Sequence, residues 1–531
     1  MRATRQPGRF AIGLLLLGLV ASACSVEFGD GGGRPETGQP RVEATDDADI
    51  VLGSIDAGIP IDPLLFGTNV PAWVNPNRTS QPWFTTAVAE SGVTLLRFPG
   101  GSWSNWYDWR GCLEGDDACH WNWALSPQDY AQVISATGLP AMWTANINAT
   151  AEENAALVAF FNGEVGDERT IGVDRHGVDW KTVGDWAARR AEFGFVDPVR
   201  IQHWEIGNEV YGAVESTGPN CAAWGWEEVW TCEGAEYMNG VDGQEGFNAM
   251  AAAMRAVDPT IAIGAVGVSP TDAWNGFGTD VLASGADTID FYIVHHYAFG
   301  GRFEVDDVLE SHLEADWRER VADIDDVAIA AGHTDPPVIA VTEYNLVAWQ
   351  DADDQAVMTT MRNLFHLVGA IGEMAAAEVD IATQWSLLSG LQQSGTDYGV
   401  IDGDTQAVYP SFFALRLWSA MGDRLIPVSD HPDLVEYATA GDDGSTSVLL
   451  ANPSADAVPA AIAAAPGSRV TAEVVSADGL DHRWVTYNGV AITTIDDIVG
   501  IEALDLGVAD ATWDYDVPPF SVVLLRFEPV G

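Results

Sequence analysis

Between Leu64 and Leu387 the chain alternates short apolar runs with longer segments of helical spacing. Strand-like runs rich in β-branched residues fall at Leu64 to Val70, Val93 to Phe98, Ala141 to Ile147, Ile201 to Ile206, Ile261 to Val268, Phe291 to Tyr297, Val338 to Thr342 and Ile381 to Leu387. Helix-like stretches separate several of them: Asp129 to Thr137, Trp180 to Phe193, Gly246 to Val257, Leu309 to Ala331 and Gln355 to Gly372. Strand and helix in alternation predict a parallel sheet, and eight such strands are the number that closes a TIM (β/α)8 barrel. After about Met421 the pattern changes to short β-branched runs punctuated by Gly, Pro and Asp, at Ser447 to Ala451, Val470 to Ser476, Trp484 to Tyr487 and Ser521 to Phe527. These predict an antiparallel β-sandwich over residues 421–531. The barrel is expected over 50–420, with a short hairpin at about 50–62 that joins the sandwich.

Two of the apolar runs end on a carboxylate. Gln202-His203-Trp204-Glu205-Ile206 stops at Gly207-Asn208-Glu209, and Val338-Ile339-Ala340-Val341 stops at Thr342-Glu343-Tyr344-Asn345. A single Glu in a loop is most often only solvated. In a parallel barrel, however, the carboxyl ends of distant strands converge on one face, where catalytic side chains collect. A pair of carboxylates there suits glycoside hydrolysis: one donates a proton to the leaving oxygen, and the other attacks or activates water.

The stretch Leu95-Leu96-Arg97-Phe98-Pro99-Gly100-Gly101 with Tyr107-Asp108-Trp109, and Asp290-Phe291-Tyr292-Ile293-Val294-His295-His296-Tyr297, complete a set of four motifs in order. Together the chain resembles the retaining (β/α)8 glycosidases of clan A, and is most similar to the α-L-arabinofuranosidases among them. The resemblance implies that Glu209 is the general acid/base, its pKa raised by the neighbouring carboxylate and partial burial, and that Glu343 is the nucleophile, kept ionised by Tyr297 or Arg97. Glu205 and Glu373 are the competing carboxylates. Asn208 is expected to donate to the sugar 2-hydroxyl, and Arg97 either touches substrate or forms a structural ion pair in the barrel floor. Trp103, Trp106, Asp108, Trp143, Asn146, Tyr297, His296 and Trp385 fill out the expected substrate-binding set, Trp385 as the platform for the cleaved sugar. Two departures stand out. Phe66-Gly67-Thr68-Asn69 carries no acid where the arabinofuranosidases have a Glu, and Ser102 stands where they have an Asn. Sugars other than arabinose, in β-linked xylan, glucan or uronide, therefore stay open, as does a non-catalytic carbohydrate-binding lipoprotein. No cofactor is expected. His295 and His296 alone do not make a metal site, because no further His or Cys lies at a ligand spacing.

The leader and the cysteines predict a chain outside the cytoplasm. Arg2, Arg5 and Arg9 precede an apolar run from Phe10 to Ala23 that reads as a signal peptide, ending Val20-Ala21-Ser22-Ala23-Cys24. This resembles a bacterial lipobox, so Cys24 is expected to be lipidated and to anchor the chain to the cell membrane through a flexible tether over 24–49. The other four cysteines form two close pairs, Cys112 with Cys119 and Cys221 with Cys232, read as local disulfides of an oxidising compartment. Seventy-eight acidic residues face 24 basic ones, for a formal net charge of −54. Such a surface repels nucleic acid and acidic lipid and disfavours a polyanionic substrate, although a basic pocket around Arg97 and Arg110 is expected to accept a single uronate.

Overall fold

The structure is a computed structural model that describes residues 38–115, 124–286 and 288–529. Eight parallel strands close a barrel: β1 (Gly67–Asn69), β2 (Leu95–Phe98), β3 (Ala141–Ala145), β4 (His203–Ile206), β5 (Ala262–Val266), β6 (Phe291–Phe299), β7 (Val338–Val347) and β8 (Ile381–Gln384). Each pairs in parallel with the next, and β1 pairs with β8 to complete the ring. The expected strand at Leu64 is shorter, because Asp62 caps a 3-10 turn over Pro63–Phe66 and extended backbone starts only at Gly67. The expected helix from Gln355 starts later, at Met361, because Asp353 draws the amides of Val357 and Met358 into a separate turn.

Side chains alternate across the barrel wall as the pleat requires. Leu95, Met142, Phe291, Ile293, Ala340 and Ile381 form an apolar cluster of their own inside the barrel. Their neighbours Leu96, Trp143, Trp204, Ile263, Tyr292, Val341 and Ala382 face out and join the main core beneath the helices. Phe291 fills space that Gly264 leaves on the adjacent strand, since a Cβ at Gly264 would meet its ring at 2.0 Å.

The carboxy-terminal region is a nine-stranded sheet, with a second layer formed by Val458–Ala463 paired to Thr512–Val517. The strands Thr446–Asn452 and Ser521–Glu528 are apolar at consecutive positions because both faces are covered. Leu449, Ala451, Val522 and Leu524 join the barrel's core, while Val448, Leu450, Val523, Leu525 and Phe527 join the sandwich's own. The helix Met361–Ala376 is buried along its whole length; from the sheet, Tyr437 donates to Gly369 O and to Glu373 Oε1. Glu373, one of the competing carboxylates, is thereby a structural group far from the two strand tips.

Ile59–Pro60 pairs with Arg424–Ile426 of this sheet. The expected tether ends sooner than 49. Gln39 donates to Ile426 O at 2.7 Å, and Arg41 pairs with Glu436 at 2.7 Å and Asp430 at 3.0 Å, which fixes residues 38–42 on the sheet. The signal peptide, Cys24 and Cys119 lie outside the described residues. Cys112 is disulfide-bonded, and Cys221 is bonded to Cys232. Among the described residues no helix is long and apolar enough to cross a membrane.

Candidate active site

The interior pattern that is apolar at the amino ends of the strands turns polar at their carboxyl ends. Two residues beyond Leu95 comes Arg97; beyond Met142 comes Thr144; beyond Ile293 come His295 and Tyr297. β7 needs a further device, since strict alternation would aim Glu343 outward with Val341. A register shift at this point of β7 against both neighbouring strands re-aims it, so that Thr342 and Glu343 both reach the interior. At the end of β4, Gly207 takes a left-handed turn (φ 84°) where a Cβ would lie 2.9 Å from Val210. Glu209 is itself left-handed (φ 42°), a sterically costly conformation of the kind that collects at functional sites.

Glu209 and Glu343 face each other across His295. Oxygens of the two carboxylates and a ring nitrogen of His295 all lie within 4.8 Å of one another. The His295 Nδ1 is 2.9 Å from Glu209 Oε1 and 3.7 Å from Glu343 Oε2, and its Nε2 is 3.1 Å from Thr342 Oγ1. Tyr211 and Trp226 donate to the two oxygens of Glu209 at 3.1 and 2.5 Å. Glu343 accepts from Arg97 Nη1 at 2.9 Å and from the Tyr297 hydroxyl at 2.8 Å. Burial alone pushes the Glu209 carboxyl up, but the His295 hydrogen bond and charge, with Trp226 and Tyr211, together bring it below its usual value. Burial likewise pushes His295 down, yet the charges of Glu343 and Glu209 raise it. The two shifts run in opposite directions, the carboxyl down and the imidazole up, because each group is hydrogen-bonded to the other. These three residues also have the spacing of a metal triad, but both ring nitrogens of His295 already face protein groups and the Glu343 oxygens already accept from Arg97 and Tyr297.

Arg97 is fully buried below the pair and reaches four groups: Glu205 (Nε, 2.8 Å), Asn69 and Glu343 (Nη1, 2.9 Å each) and Asn208 (Nη2, 3.1 Å). It is a positioning residue; Glu205 is its buried counter-ion, which removes the second competing carboxylate. Asn208 is fixed at both ends, accepting from Arg97 and donating to Glu227 Oε1 at 3.1 Å, while Asn105 pairs with its backbone N–H and C=O. Ser102 donates to the same Glu227 at 2.7 Å, and Asn105 to its other oxygen at 2.8 Å. Burial, and then the charge of Glu209, push Glu227 up to about 8.

A cavity of about 1140 Å³ opens over these groups and is lined by Glu209, Glu343, Asn208, Tyr297, Trp103 and Trp385, all expected from sequence. Besides the buried Arg97, five other expected residues are not in that lining. Trp143 lies on the outward face of β3 against Tyr107, Tyr130 and Phe161. His296 also points outward, with its ring 5.3 Å from Trp317, and burial pushes it down to about 3. Asp108 caps the helix Trp109–Glu114 through Gly111 N, Asn146 accepts from Asn148 N in the turn after β3, and Trp106 sits outside the cavity, 41% exposed. Among the described residues Arg97 and Arg110 do not make the expected basic pocket. Arg97 is consumed by its four partners, and the Arg110 guanidinium lies over the Trp180 ring.

The site holds residues that the sequence did not single out. His295 was discoverable: it shares the parity of Tyr297, whereas His296 does not. Trp224 and Trp226 lie in the Trp-rich loop between Cys221 and Cys232, and Trp73, Trp274, Trp349 and Tyr398 complete the walls. Glu227, Asn105 and Tyr211 gave no signal beyond their types.

No family model matches the sequence, and no curated protein matches it. Solved structures do. An α-L-arabinofuranosidase from Thermotoga maritima superposes with a TM-score of 0.66 at 18% identity, over 91% of this chain and 100% of that one. The chain has the fold of these arabinofuranosidases. The family 51 α-L-arabinofuranosidase AbfB from Bifidobacterium longum gives 0.65 at 18% identity, over 92% and 100% of the two chains. Cel44A, a family 44 endoglucanase from Clostridium thermocellum, gives 0.55 at 14% identity, over 91% and 99%. The eight-stranded barrel with its β-sheet-rich carboxy-terminal region is thus the two-part fold expected from sequence.

Proposed function

We propose that the protein is a retaining glycoside hydrolase that cleaves polysaccharide or oligosaccharide bonds by double displacement. The observation that carries this is the facing pair Glu209 and Glu343, with oxygens within 4.8 Å, which fits the separation of about 5–5.5 Å between carboxyl groups that goes with retention better than the about 6.5–9.5 Å of an inverting site. Glu343 attacks the anomeric carbon as the glycosidic bond breaks. Glu209, hydrogen-bonded to His295, delivers a proton to the departing oxygen. The covalent glycosyl-enzyme is then hydrolysed by water that Glu209 deprotonates. Asn208, locked between Arg97 and Glu227, keeps one amide N–H for the sugar 2-hydroxyl, a contact that strengthens in the transition state.

The α-L-arabinofuranoside reading is supported by the family 51 neighbours. A second reading, cleavage of a β-linked glycan, is favoured by a specific observation. Where the arabinofuranosidases have an Asn, Ser102 turns instead to the buried Glu227, and β1 brings no acid. The leader sequence, Cys24 and the disulfides support secretion and lipid anchoring at the cell membrane; the acid excess supports an uncharged carbohydrate partner.

The test is product release from arabinoxylan, β-glucan and uronide-bearing polysaccharides by wild type, Glu343→Ala and Glu209→Ala. Each variant is expected to lose about 10,000-fold or more, with azide rescuing the two as glycosyl azides of opposite anomeric configuration. Full activity in either variant overturns the roles.

A further inference from the structure

The two walls of the cleft are built differently. On the side of the nucleophile, Trp385 packs on the glycine turn at Gly101, where a Cβ would meet its ring at 2.7 Å, with Trp73 and Trp103 behind it. On the side of the acid/base a larger aromatic surface stands, to which the double-displacement scheme assigns nothing. Trp226, which donates to Glu209, is 5.5 Å from Trp274, 6.0 Å from Trp349 and 6.1 Å from Trp224, ring centre to ring centre. Trp224 is 63% exposed and Trp349 52% exposed, yet both line the same cavity.

Three separate loops, following β4, β5 and β7, bring these rings together, and two of them carry structural cost or restraint. The Cys221–Cys232 disulfide closes the loop that holds Trp224 and Trp226. Trp274, Asn275 and Gly276 are left-handed in succession, with φ of 54°, 60° and 80°. Left-handed backbone in two consecutive non-glycine residues persists only where the surroundings impose it. A surface of large, exposed aromatic rings is also unfavourable to leave wet unless something covers it.

We propose that this four-tryptophan wall is the binding surface for the leaving-group side of an uncharged glycan chain, and selects chains of several sugars over short glycosides. The proposal rests on the glycosidase reading for its direction: Glu209 protonates the departing oxygen, so rings contiguous with Trp226 flank the departing sugars. Flat aromatic faces match the apolar C–H faces of sugar rings. Charge selects against uronides. The ionisable acids and bases of the lining are Glu209, Glu343, Asp351, His295 and Arg78; Arg78 is already paired with Asp404 and His295 with Glu209.

The test uses the mature chain carrying Glu343→Gln, which holds sugar without turning it over. Affinities for disaccharides and hexasaccharides of xylan, β-glucan and α-1,5-arabinan are measured by calorimetry, before and after adding Trp224→Ala and Trp349→Ala. Both side chains are more than half exposed, so the folded state survives their truncation, and a melting curve checks this. In at least one series the parent is expected to bind the hexasaccharide about 10-fold or more tighter than the disaccharide, a preference that falls to about one in the double variant. An undiminished preference, or none in the parent, overturns the proposal. So does a dimer that dissociates in the double variant while glycan affinity is kept, which gives the wall to a second copy. Turnover is scored apart. Chain-length-dependent binding without hydrolysis by wild type overturns the glycosidase reading and leaves the wall's role standing.

Discussion

The two ends of the barrel are made by the same eight strands and do opposite work. At the amino ends the interior is Leu95, Met142, Phe291, Ile293, Ala340 and Ile381, a plug whose value is packing. Two or three positions further along, the interior becomes Arg97, Thr144, Glu205, His295, Thr342 and Glu343, where charges are buried in a linked network. The lesson is that the strand register, and not the identity of any strand, decides whether a residue contributes stability or chemistry. The bulge in β7 makes this plain, since it moves one carboxylate from the wall to the site.

The sharpest way to break the polar end is Arg97→Met. It leaves Glu205 and Glu343 buried without their cation, and breaking such a pair costs about 3–5 kcal/mol. Activity is expected to fall with stability, because Glu343 and Asn208 lose their support; urea unfolding and kcat/KM measure the two losses. Retained stability would mean the network is not buried as described.

At the apolar end, Phe291→Ala is expected to cost about 3–5 kcal/mol by leaving a cavity beside Gly264. The pH profile of any remaining activity should keep its shape, since no titrating group is touched. A shifted profile would show that the two ends are not separable.

A smaller effect sharpens the comparison within the site. His295 is raised and Glu209 lowered by their mutual hydrogen bond, so the pair keeps its proton to higher pH than a lone carboxyl would. His295→Gln keeps a hydrogen-bond donor but removes the titrating imidazole. The alkaline limb of kcat/KM is expected to move to lower pH by about one unit or more, toward the carboxylate range. A limb that stays in place would put the proton on another group.

Much of this organisation was legible in the sequence, because the apolar runs of a parallel barrel and the tips Gly207-Asn208-Glu209 and Thr342-Glu343 are local patterns. Trp143 and His296 lie near strand ends but have the outward parity of their strands, which keeps them from the site. Met142 and Thr144 face in, so Trp143 must face out. Asp108 and Asn146 were spent on caps, the ordinary use of short polar side chains beside a helix or turn. Glu227 and Trp274 were out of reach, since one depends on where a long disulfide-closed loop returns and the other on a left-handed turn. Arg97 shows the middle case: its importance was readable, but its choice between substrate and Glu205 depended on depth in the barrel.

The most direct test of the central claim, that Glu209 and Glu343 form a double-displacement pair, is the configuration of the first product. Wild-type enzyme is mixed with its best polysaccharide and the anomeric protons are followed by NMR before mutarotation. The account predicts that the first anomer released keeps the configuration of the bond cleaved. A first product of inverted configuration would contradict it.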